Sequence, residues 1–374
     1  MRGLSTGGGN SQSNLLNMKT SLKILLAGFL FYSGLLWVYL FLRDNLFGSE
    51  KVRILLYHRV LDLQREKDFC SLPGIIVSVK MFDEQMKYLS ENYNVISLEN
   101  LVDSLKNNLP FPKKGVVITF DDGWKDNFSF AFPTLKKYNL PATIFLTSGY
   151  IGTNKIFWPE QVISILKSEK NLKEKSKNLS DEIYPSVIQD CLDELVQYKK
   201  PYWDILTDLI EYLKYSTEVK REVIIDDLKK RMKSSGELFS DRPSLLNWEE
   251  IGILEKNYIS FGSHSINHPI LTQLDKAEAK KEIFDSKREI EKKLSRPVLA
   301  FAYPNGDLND WVKDLVKQAG YLGAVTLGSG LNDGHTDLFS LSRRNIQESS
   351  SAGPKGRFSK SLFACQINGI LDRL

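Results

Sequence analysis

A rhythm of short apolar runs and helical stretches after about Lys51 constrains the fold of this chain most strongly. The apolar runs are short, rich in Val, Ile and Phe, and bounded by Gly, Pro, Asn or Asp: Val52–Tyr57, Val116–Phe120, Ala142–Thr147, Tyr258–Gly262, Val298–Tyr303 and Tyr321–Thr326. Such runs are typical of parallel strands covered on both faces. Helical periodicity lies between them, in Phe128–Tyr138, Asp275–Leu294 and Asn309–Gln318. The alternation predicts βαβ units in an α/β barrel or a doubly wound sheet.

Residues 155–240 interrupt this rhythm. They show apolar residues at helical spacing, as in Ile205, Leu206, Leu209, Ile210 and Leu213, and predict three or four amphipathic helices. We interpret them as a helical insertion in a domain of residues 51–374. Without the insertion, this domain has about the size expected of one α/β barrel, roughly 250 residues.

The N-terminal region has a different composition. Residues 1–21 are polar and rich in Gly, Ser and Asn, so we expect them to be disordered. Ile24–Leu42 contains no charged residue and, as a helix of 19 residues, measures about 28 Å, close to the thickness of a bilayer core. Residues 22–42 are therefore predicted to be a single transmembrane anchor. The alternatives are a cleaved signal peptide and a buried core helix. The flanking charges nearly balance and do not set an orientation, and Met18 is a second plausible start.

Composition excludes several classes of protein. The net charge of +4, from 50 basic and 46 acidic residues, lacks the basic excess typical of nucleic-acid-binding proteins. Three widely spaced cysteines, Cys70, Cys191 and Cys365, support neither a disulfide scaffold nor a zinc ribbon.

Polar residues cluster where predicted strands end. Asp121 and Asp122 follow Val116–Phe120 directly, where parallel α/β folds build their sites. Adjacent residues of an extended chain point in opposite directions, so the two carboxylates are expected to have different roles. The alternative is a solvated Asp-Gly turn.

Histidines mark two further strand ends. His264 and His268, two of only four histidines, follow the strand Tyr258–Gly262, and His58 follows Val52–Tyr57. The turn Pro304-Asn305-Gly306 ends another strand. Incidental polar histidines, a satisfied buried His58 and an ordinary turn are the simpler interpretations.

Together these residues fit a mononuclear metal site. Asp122, His264 and His268 would supply one oxygen and two nitrogens to a divalent cation and leave positions open. Asp121 would remain available as a general base.

The same residues resemble a known family. Thr-Phe-Asp-Asp-Gly at 119–123, Ser-His-Ser-Ile-Asn-His-Pro at 263–269 and Ala-Tyr-Pro-Asn-Gly at 302–306 resemble motifs of the polysaccharide deacetylases, the NodB-homology or carbohydrate esterase family four proteins. Leu-Tyr-His-Arg-Val at 56–60 and Asn-Trp-Glu-Glu-Ile at 247–251 are similar to the membrane or exported branch. The resemblance covers roughly residues 51–346. It implies a deformed (β/α) barrel, a divalent metal, usually zinc, and hydrolysis of an acetamido group on a sugar.

Roles carry over by position. The resemblance implies that Asp121 is the catalytic base, that Asp122, His264 and His268 are metal ligands, and that the backbone N–H of Asn305 donates to the oxyanion. We also expect three residues within the motifs to contact the sugar: Trp124, Tyr303 and Pro304.

The sequence departs from the family pattern in three places. Ala302 stands where an Arg often orients the base, although many members of this branch lack that Arg. Asn305 stands where an aromatic residue is usual, and no Leu-x-His motif supplies the acid. Three groups therefore remain candidates for the general acid: His58, His335, and Asp121 after it has gained a proton.

The expected function is removal of N-acetyl groups from a cell-surface or exported glycan by a single-pass membrane protein with its catalytic domain outside the cytoplasm. We then expect the glycan and the membrane to be its partners, and we expect no binding to nucleic acid. The alternatives are a related hydrolase acting on an O-acetyl ester or another C–N bond, and a non-catalytic glycan-binding protein.

Overall fold

The computed structural model describes residues 8–46, 51–64, 70–168, 185–197, 201–231 and 244–372. The chain divides into two compact units. The smaller contains Met1–Thr20, Lys67–Gly74 and Lys155–Pro243, and the larger contains Ser21–Glu66, Ile75–Asn154 and Ser244–Leu374.

In the described residues the strands are β1 Val52–Tyr57, β2 Arg59–Leu61, β3 Ile76–Ser78, β4 Asn94–Val95, β5 Gly115–Phe120, β6 Ala142–Leu146, β7 Ile259–Ser263, β8 Ala300–Ala302, β9 Gly323–Leu327, β10 Leu331–Asn332 and β11 Leu341–Asn345. Seven parallel strands of the larger unit close into a barrel in the order β1-β5-β6-β7-β8-β9-β11. Two short strands extend it, since β4 pairs with the beginning of β5 and β10 runs antiparallel to the beginning of β1.

Helices connect the strands. The α-helices of the described residues are α1 Gly8–Tyr32, α2 Leu35–Leu46, α3 Val79–Asn92, α4 Leu98–Lys106, α5 Phe132–Lys137, α6 Trp158–Ser168, α7 Ser186–Gln197, α8 Tyr202–Lys214, α9 Glu218–Arg231, α10 Trp248–Glu255, α11 Lys276–Leu294, α12 Asp310–Gln318 and α13 Lys360–Ile367. Side-chain caps start several of them: Ser78 and Ser97 each accept from a backbone N–H of the first turn, as do Asn247, Asp275 and Asn309.

The predicted deformed (β/α) barrel is confirmed, and the six predicted strands all belong to it. The seventh barrel strand, β11, was missed, because its sequence Leu-Ser-Arg-Arg-Asn does not have the apolar pattern of a buried strand. β11 closes the barrel between β9 and β1.

An apolar cluster fills the interior of the barrel. Residues of the barrel strands and of α4, together with Phe111, form it. A Cβ on Gly323, the first residue of β9, would lie 3.0 Å from Val102 of α4, so α4 packs against the amino end of the barrel. The cluster extends from there to Phe145, the last residue but one of β6, which is 0% exposed.

The smaller unit has its own core. Helices α6, α7, α8 and α9 lie within residues 155–240, which we predicted to be helical, and supply sixteen buried residues to one cluster. The residues 169–184, 198–200 and 232–243 of this region lie outside the described ones.

The N-terminal region differs from both predictions made for it. Helix α1 begins at Gly8, so the disordered segment expected for residues 1–21 is wrong from that residue onward, and residues 1–7 lie outside the described ones. The continuous helix expected for residues 22–42 is broken at Ser33 and Gly34. Gly34 has a φ of 80°, and the Ser33 hydroxyl bonds the backbone on both sides of the break, at Leu30 and Leu35.

The break divides the apolar segment into two helical parts that are each shorter than the predicted transmembrane helix. Within the described residues no single helix is long and apolar enough to cross a membrane. Met18–Tyr32 and Leu35–Arg43 satisfy the length and composition together, with a bend of 76° between them.

Gly262 provides a test of the barrel interior. A Cβ at this position would overlap the ring of Phe145 on the neighbouring strand. We expect Gly262→Ala to lower the free energy of unfolding by about 1–3 kcal/mol, the usual cost of overpacking. Chemical denaturation measures this change.

Gly252→Ala is the matched control. Gly252 lies in helix α10, and a Cβ added there would have no heavy atom of another residue within 4 Å. The same added methyl group should therefore raise stability by roughly 0.5–1 kcal/mol through helix propensity. Equal effects of the two substitutions would contradict the close contact in the barrel.

Candidate active site

The carboxyl ends of neighbouring barrel strands bring the predicted site residues together. Tyr57 of β1 is paired with Phe120 of β5, so the residues that follow, His58 and Asp121, emerge side by side. The Asp121 N–H donates to the carbonyl of Tyr57 at 3.0 Å and extends the pairing by one residue. The strands β6 and β7 continue the same edge toward His264.

The backbone turns so that both carboxylates face the same site. Asp122 has a φ of 74° and Gly123 a φ of 79°, both in the left-handed region. As a result, Asp121 Oδ2 lies 3.6 Å and Asp122 Oδ1 3.7 Å from His264 Nε2. The alternation of an extended strand would have sent the two side chains to opposite faces. A left-handed aspartate is strained, which is common where a functional group must be aimed.

Asp122, His264 and His268 form a possible metal site. One ligand atom from each lies within 4.8 Å of the others, and His268 Nε2 is 3.5 Å from Asp122 Oδ1. The two imidazole rings stand nearly perpendicular, with centroids 4.7 Å apart. One carboxylate oxygen and two imidazole nitrogens suit zinc and several other divalent metals.

His264 is held in the form that a metal requires. Its Nδ1 lies 2.7 Å from the carbonyl oxygen of Ala302, and since a carbonyl only accepts, Nδ1 carries the proton and Nε2 keeps its lone pair. Burial lowers the pKa of His264 to about 4 despite the nearby charge of Asp121. A neutral imidazole with Nε2 directed at the carboxylates fits a cation between them.

The loop that carries His268 is held by helix α11. Glu282 accepts hydrogen bonds from the backbone N–H groups of Ile266 and Asn267 at 2.8 and 2.9 Å, and from the Asn267 side chain at 2.8 Å. His268 itself has a φ of 61°, and its N–H donates to the Ser265 hydroxyl. One glutamate, Glu282, therefore fixes the turn before Pro269.

Arg343 of β11 binds Asp121 with both guanidinium N–H₂ groups, at 2.6 and 2.7 Å. Both side chains are almost fully buried. Burial alone would raise the pKa of Asp121, but the Arg343 guanidinium, with a smaller contribution from His264, holds the pKa of that carboxyl well below its usual range. Asp121 is thus an oriented, ionised carboxylate.

Asn305 lies in the turn after β8, with a φ of 60°. The two hydrogen bonds that close the turn are donated by Gly306 and Asp307, so the turn itself does not use the Asn305 N–H. The Asn305 side chain donates to Asp307 at 2.6 Å. This geometry is compatible with the expected oxyanion donor.

Comparison with known proteins identifies the family. Residues 108–324, more than half of the chain, match the family described as polysaccharide deacetylase. The chain belongs to the polysaccharide deacetylase family. A poly-β-1,6-N-acetyl-D-glucosamine N-deacetylase of Staphylococcus epidermidis is 31% identical over 142 residues, which is 36% of this chain and 44% of the relative. One from Staphylococcus aureus is 31% identical over 129 residues, 32% of this chain and 42% of the relative. The chain thus matches less than half the length of these relatives.

Solved structures share the fold of this polysaccharide deacetylase. The Streptococcus pyogenes deacetylase PplD, in complex with acetate, has a TM-score of 0.52 at 22% identity, covering 80% of this chain and 94% of the other. IcaB from Ammonifex degensii has a TM-score of 0.51 at 17% identity, with coverage of 80% and 94%.

Four predicted site residues of the deacetylase have other positions. Trp124 and Tyr303 are 1% and 0% exposed, and Pro304 is buried, so none offers a surface to a sugar. The Tyr303 hydroxyl instead donates to the carbonyl of Phe339. His335 is exposed in the turn between β10 and β11; because β10 pairs with the beginning of β1, this turn lies at the amino end of the barrel, away from the site.

The residue that sequence analysis missed is Arg343. The family pattern directs attention to position 302, where this deacetylase has Ala, and the guanidinium comes from the unrecognised strand β11 instead. The sequence feature that could have indicated this residue is the arginine pair Arg343-Arg344, which lies in a segment long enough to form a last barrel strand.

Arg343→Met tests the ion pair through stability. Asp121 would keep its burial and lose its partner, so we expect a loss of about 3–5 kcal/mol at pH 7 by chemical denaturation. In the wild type the low pKa of Asp121 stabilises the fold above the unfolded pKa of about 4, and this contribution fades below it. In the variant, the unpaired carboxyl regains a proton as the pH falls, so the difference between the two proteins should narrow toward pH 4.

A double variant supplies the control. Asp121→Asn in the Arg343→Met background removes the unpaired charge and should recover part of the lost stability. Additive losses in the double variant would contradict a coupled buried pair.

Proposed function

We propose that this chain is a metal-dependent de-N-acetylase that hydrolyses acetamido groups on amino sugars of a polysaccharide. The observation that carries the proposal is the convergence of Asp122, His264 and His268 within 4.8 Å, beside an ionised Asp121. The names of the relatives point to a β-1,6-linked N-acetylglucosamine polymer as the substrate class.

The three ligand residues fit a divalent cation, and we propose zinc because of the two imidazole nitrogens and one carboxylate oxygen. When bound, such a cation supplies Lewis-acid polarisation of the acyl oxygen and acidifies water. The contribution of the chain is to fix the ligands: Ala302 orients His264, and Glu282 holds the loop of His268.

Asp121 is proposed to accept the proton of the attacking water at a carboxylate oxygen. Arg343 keeps it ionised and prevents its rotation through two hydrogen bonds. The N–H of Asn305 is proposed to donate to the acyl oxygen as negative charge develops there, a contribution of about 2.7–4 kcal/mol for a well-placed donor.

We propose His58 as the general acid that protonates the leaving nitrogen. It lies beside Asp121 at the end of β1, and its charge contributes to lowering the pKa of Asp121. Its Nδ1 is buried and has no hydrogen-bond partner among the described residues. Of the other candidates, His335 lies at the opposite end of the barrel, and Asp121 is already assigned the role of the base. The amide C–N bond breaks after water has added to the acyl carbon, and the products are an amine and acetate.

The function is tested by incubating the zinc-loaded protein with β-1,6-linked N-acetylglucosamine oligomers and with an O-acetylated sugar. We expect acetate and free amine from the first substrate. Acetate from the O-acetylated sugar alone would favour the esterase alternative, and release from neither would favour a glycan-binding protein.

Two variants are controls in this assay. Asp121→Asn preserves shape but cannot accept a proton, so it should keep zinc and lose at least about 10²-fold in kcat. His58→Gln should also keep zinc and lose activity by about 10²-fold or more. Loss of zinc in either variant would contradict the assigned roles.

We further propose that α1 and α2 bind a membrane and that the site lies outside the cytoplasm, facing away from the bilayer. Large apolar side chains of both helices are exposed: Leu25, Phe29, Tyr32, Val38 and Phe41. Helix α2 contacts the amino end of the barrel, where Arg43 donates to the carbonyl of Asn368 at 3.1 Å and Lys114 lies over the Trp37 ring. The site opens at the other end of the strands. The extracytoplasmic location rests on the class of substrate.

Membrane binding is tested by carbonate extraction of the full chain, which should stay with the membrane. Phe29→Glu combined with Phe41→Glu should weaken binding, because charges in the apolar core are costly. Leu327→Glu, at an exposed site at the carboxyl end of β9 and so away from the proposed membrane side, is the matched control and should have no effect. Release of the wild type by carbonate would contradict the proposal.

A further inference from the structure

The two oxygens of Asp122 have separate partners. Oδ1 faces the histidines, 3.7 Å from His264 Nε2 and 3.5 Å from His268 Nε2. Oδ2 accepts a hydrogen bond from the indole Nε1–H of Trp124 at 2.8 Å. The indole therefore fixes the rotation of the carboxylate and leaves one oxygen directed at the cluster.

The indole is itself held from its other side. Arg59 of β2 lies over the ring, with its guanidinium carbon 4.5 Å from the ring centroid. Arg59 Nε donates to Asp126 Oδ2 at 2.9 Å, and the N–H of Val60 donates to the second oxygen of Asp126 at 2.9 Å. The guanidinium, the indole and both carboxylates are buried. A chain of contacts thus runs from Asp126 through Arg59 and Trp124 to Asp122.

The turn between Asp122 and Trp124 is fixed by a second chain segment. Leu246 N–H donates to the Gly123 carbonyl at 2.8 Å, and Lys125 N–H donates to the Ser244 carbonyl at 2.9 Å. These bonds enclose the bridge between Trp124 and Leu245. The chain that follows the left-handed Asp122 is therefore held in place.

We infer that Trp124 is a positioning residue for the divalent-cation site and sets cation affinity through its hydrogen bond to Asp122. This inference rests on the proposed metal dependence and goes beyond it by assigning a role to the indole that packing alone does not require. A ring held only for its volume has no need of a donor, and phenylalanine would serve as well.

Trp124→Phe tests the inference, since it keeps an aromatic ring under Arg59 and removes only the donor and part of the indole. The readout is Zn²⁺ affinity, measured on the full chain by competition with a chelator. We expect affinity to fall by about 10–100-fold, the usual effect of losing an outer partner of a ligand. In the same variant, kcat at saturating Zn²⁺ should return to within a few-fold of the wild type.

Trp311→Phe, in helix α12, is the matched control and should leave Zn²⁺ affinity unchanged. Thermal unfolding without metal separates a positioning role from a structural one, and cooperative melting of Trp124→Phe is expected.

The outcomes are distinguishable. Wild-type affinity in Trp124→Phe overturns the inference, and so does loss of cooperative melting in the metal-free variant, because the indole would then act through the fold. Absence of Zn²⁺ binding by the wild type would instead refute the proposed function on which the inference rests.

Discussion

The pairing of β1 with β5 is the constraint on which the rest of this structure depends. Five residue pairs from Arg53–Val116 to Tyr57–Phe120 join the first barrel strand to the strand that carries the aspartates. Because β1 also pairs with β11, this contact closes the barrel. It places His58 beside Asp121 and brings Arg343 within reach of the same carboxylate. Residues far apart in sequence become one site through one strand register, and a slip of a single residue would turn them to the wrong face.

Burial gives the site its electrostatic character. Asp121, His264 and Arg343 are all nearly inaccessible to solvent, so each charge is determined by its neighbours rather than by water. The carboxylate stays ionised through the guanidinium, and the imidazole stays neutral through its desolvation. Of these two adjacent groups, one is thus kept charged and the other neutral, which are the protonation states in which a carboxylate can accept a proton and an imidazole can bind a cation.

The sequence was informative wherever local chemistry and an apolar pattern coincided. Asp121, Asp122, His264 and His268 each follow a predicted strand, and the carboxyl ends of parallel strands meet at one edge. Arg343 was not predictable in this way, because the sequence of its strand, β11, is polar. The buried Arg343 side chain is paired there with the carboxylate of Asp121. The contact between Trp124 and Arg59 was not predictable either, because the two residues are distant in sequence. The helix break at Gly34 was not predictable from glycine content, because Gly28 lies in the same run and stays helical.

The left-handed backbone at Asp122 and His268 has a consequence for how folding and ion capture are linked. A non-glycine residue in this region costs of order 1–3 kcal/mol, and two of the three proposed metal ligands adopt it. The cost is met when the barrel and its hydrogen bonds form, so an arriving cation finds its ligands already arranged. A cation that binds only the folded state raises the free energy of unfolding. This increase is larger when the affinity is higher and when more free ion is present. With the proposed metal site, the equilibrium stability of the deacetylase barrel would therefore depend on the metal supply of its environment.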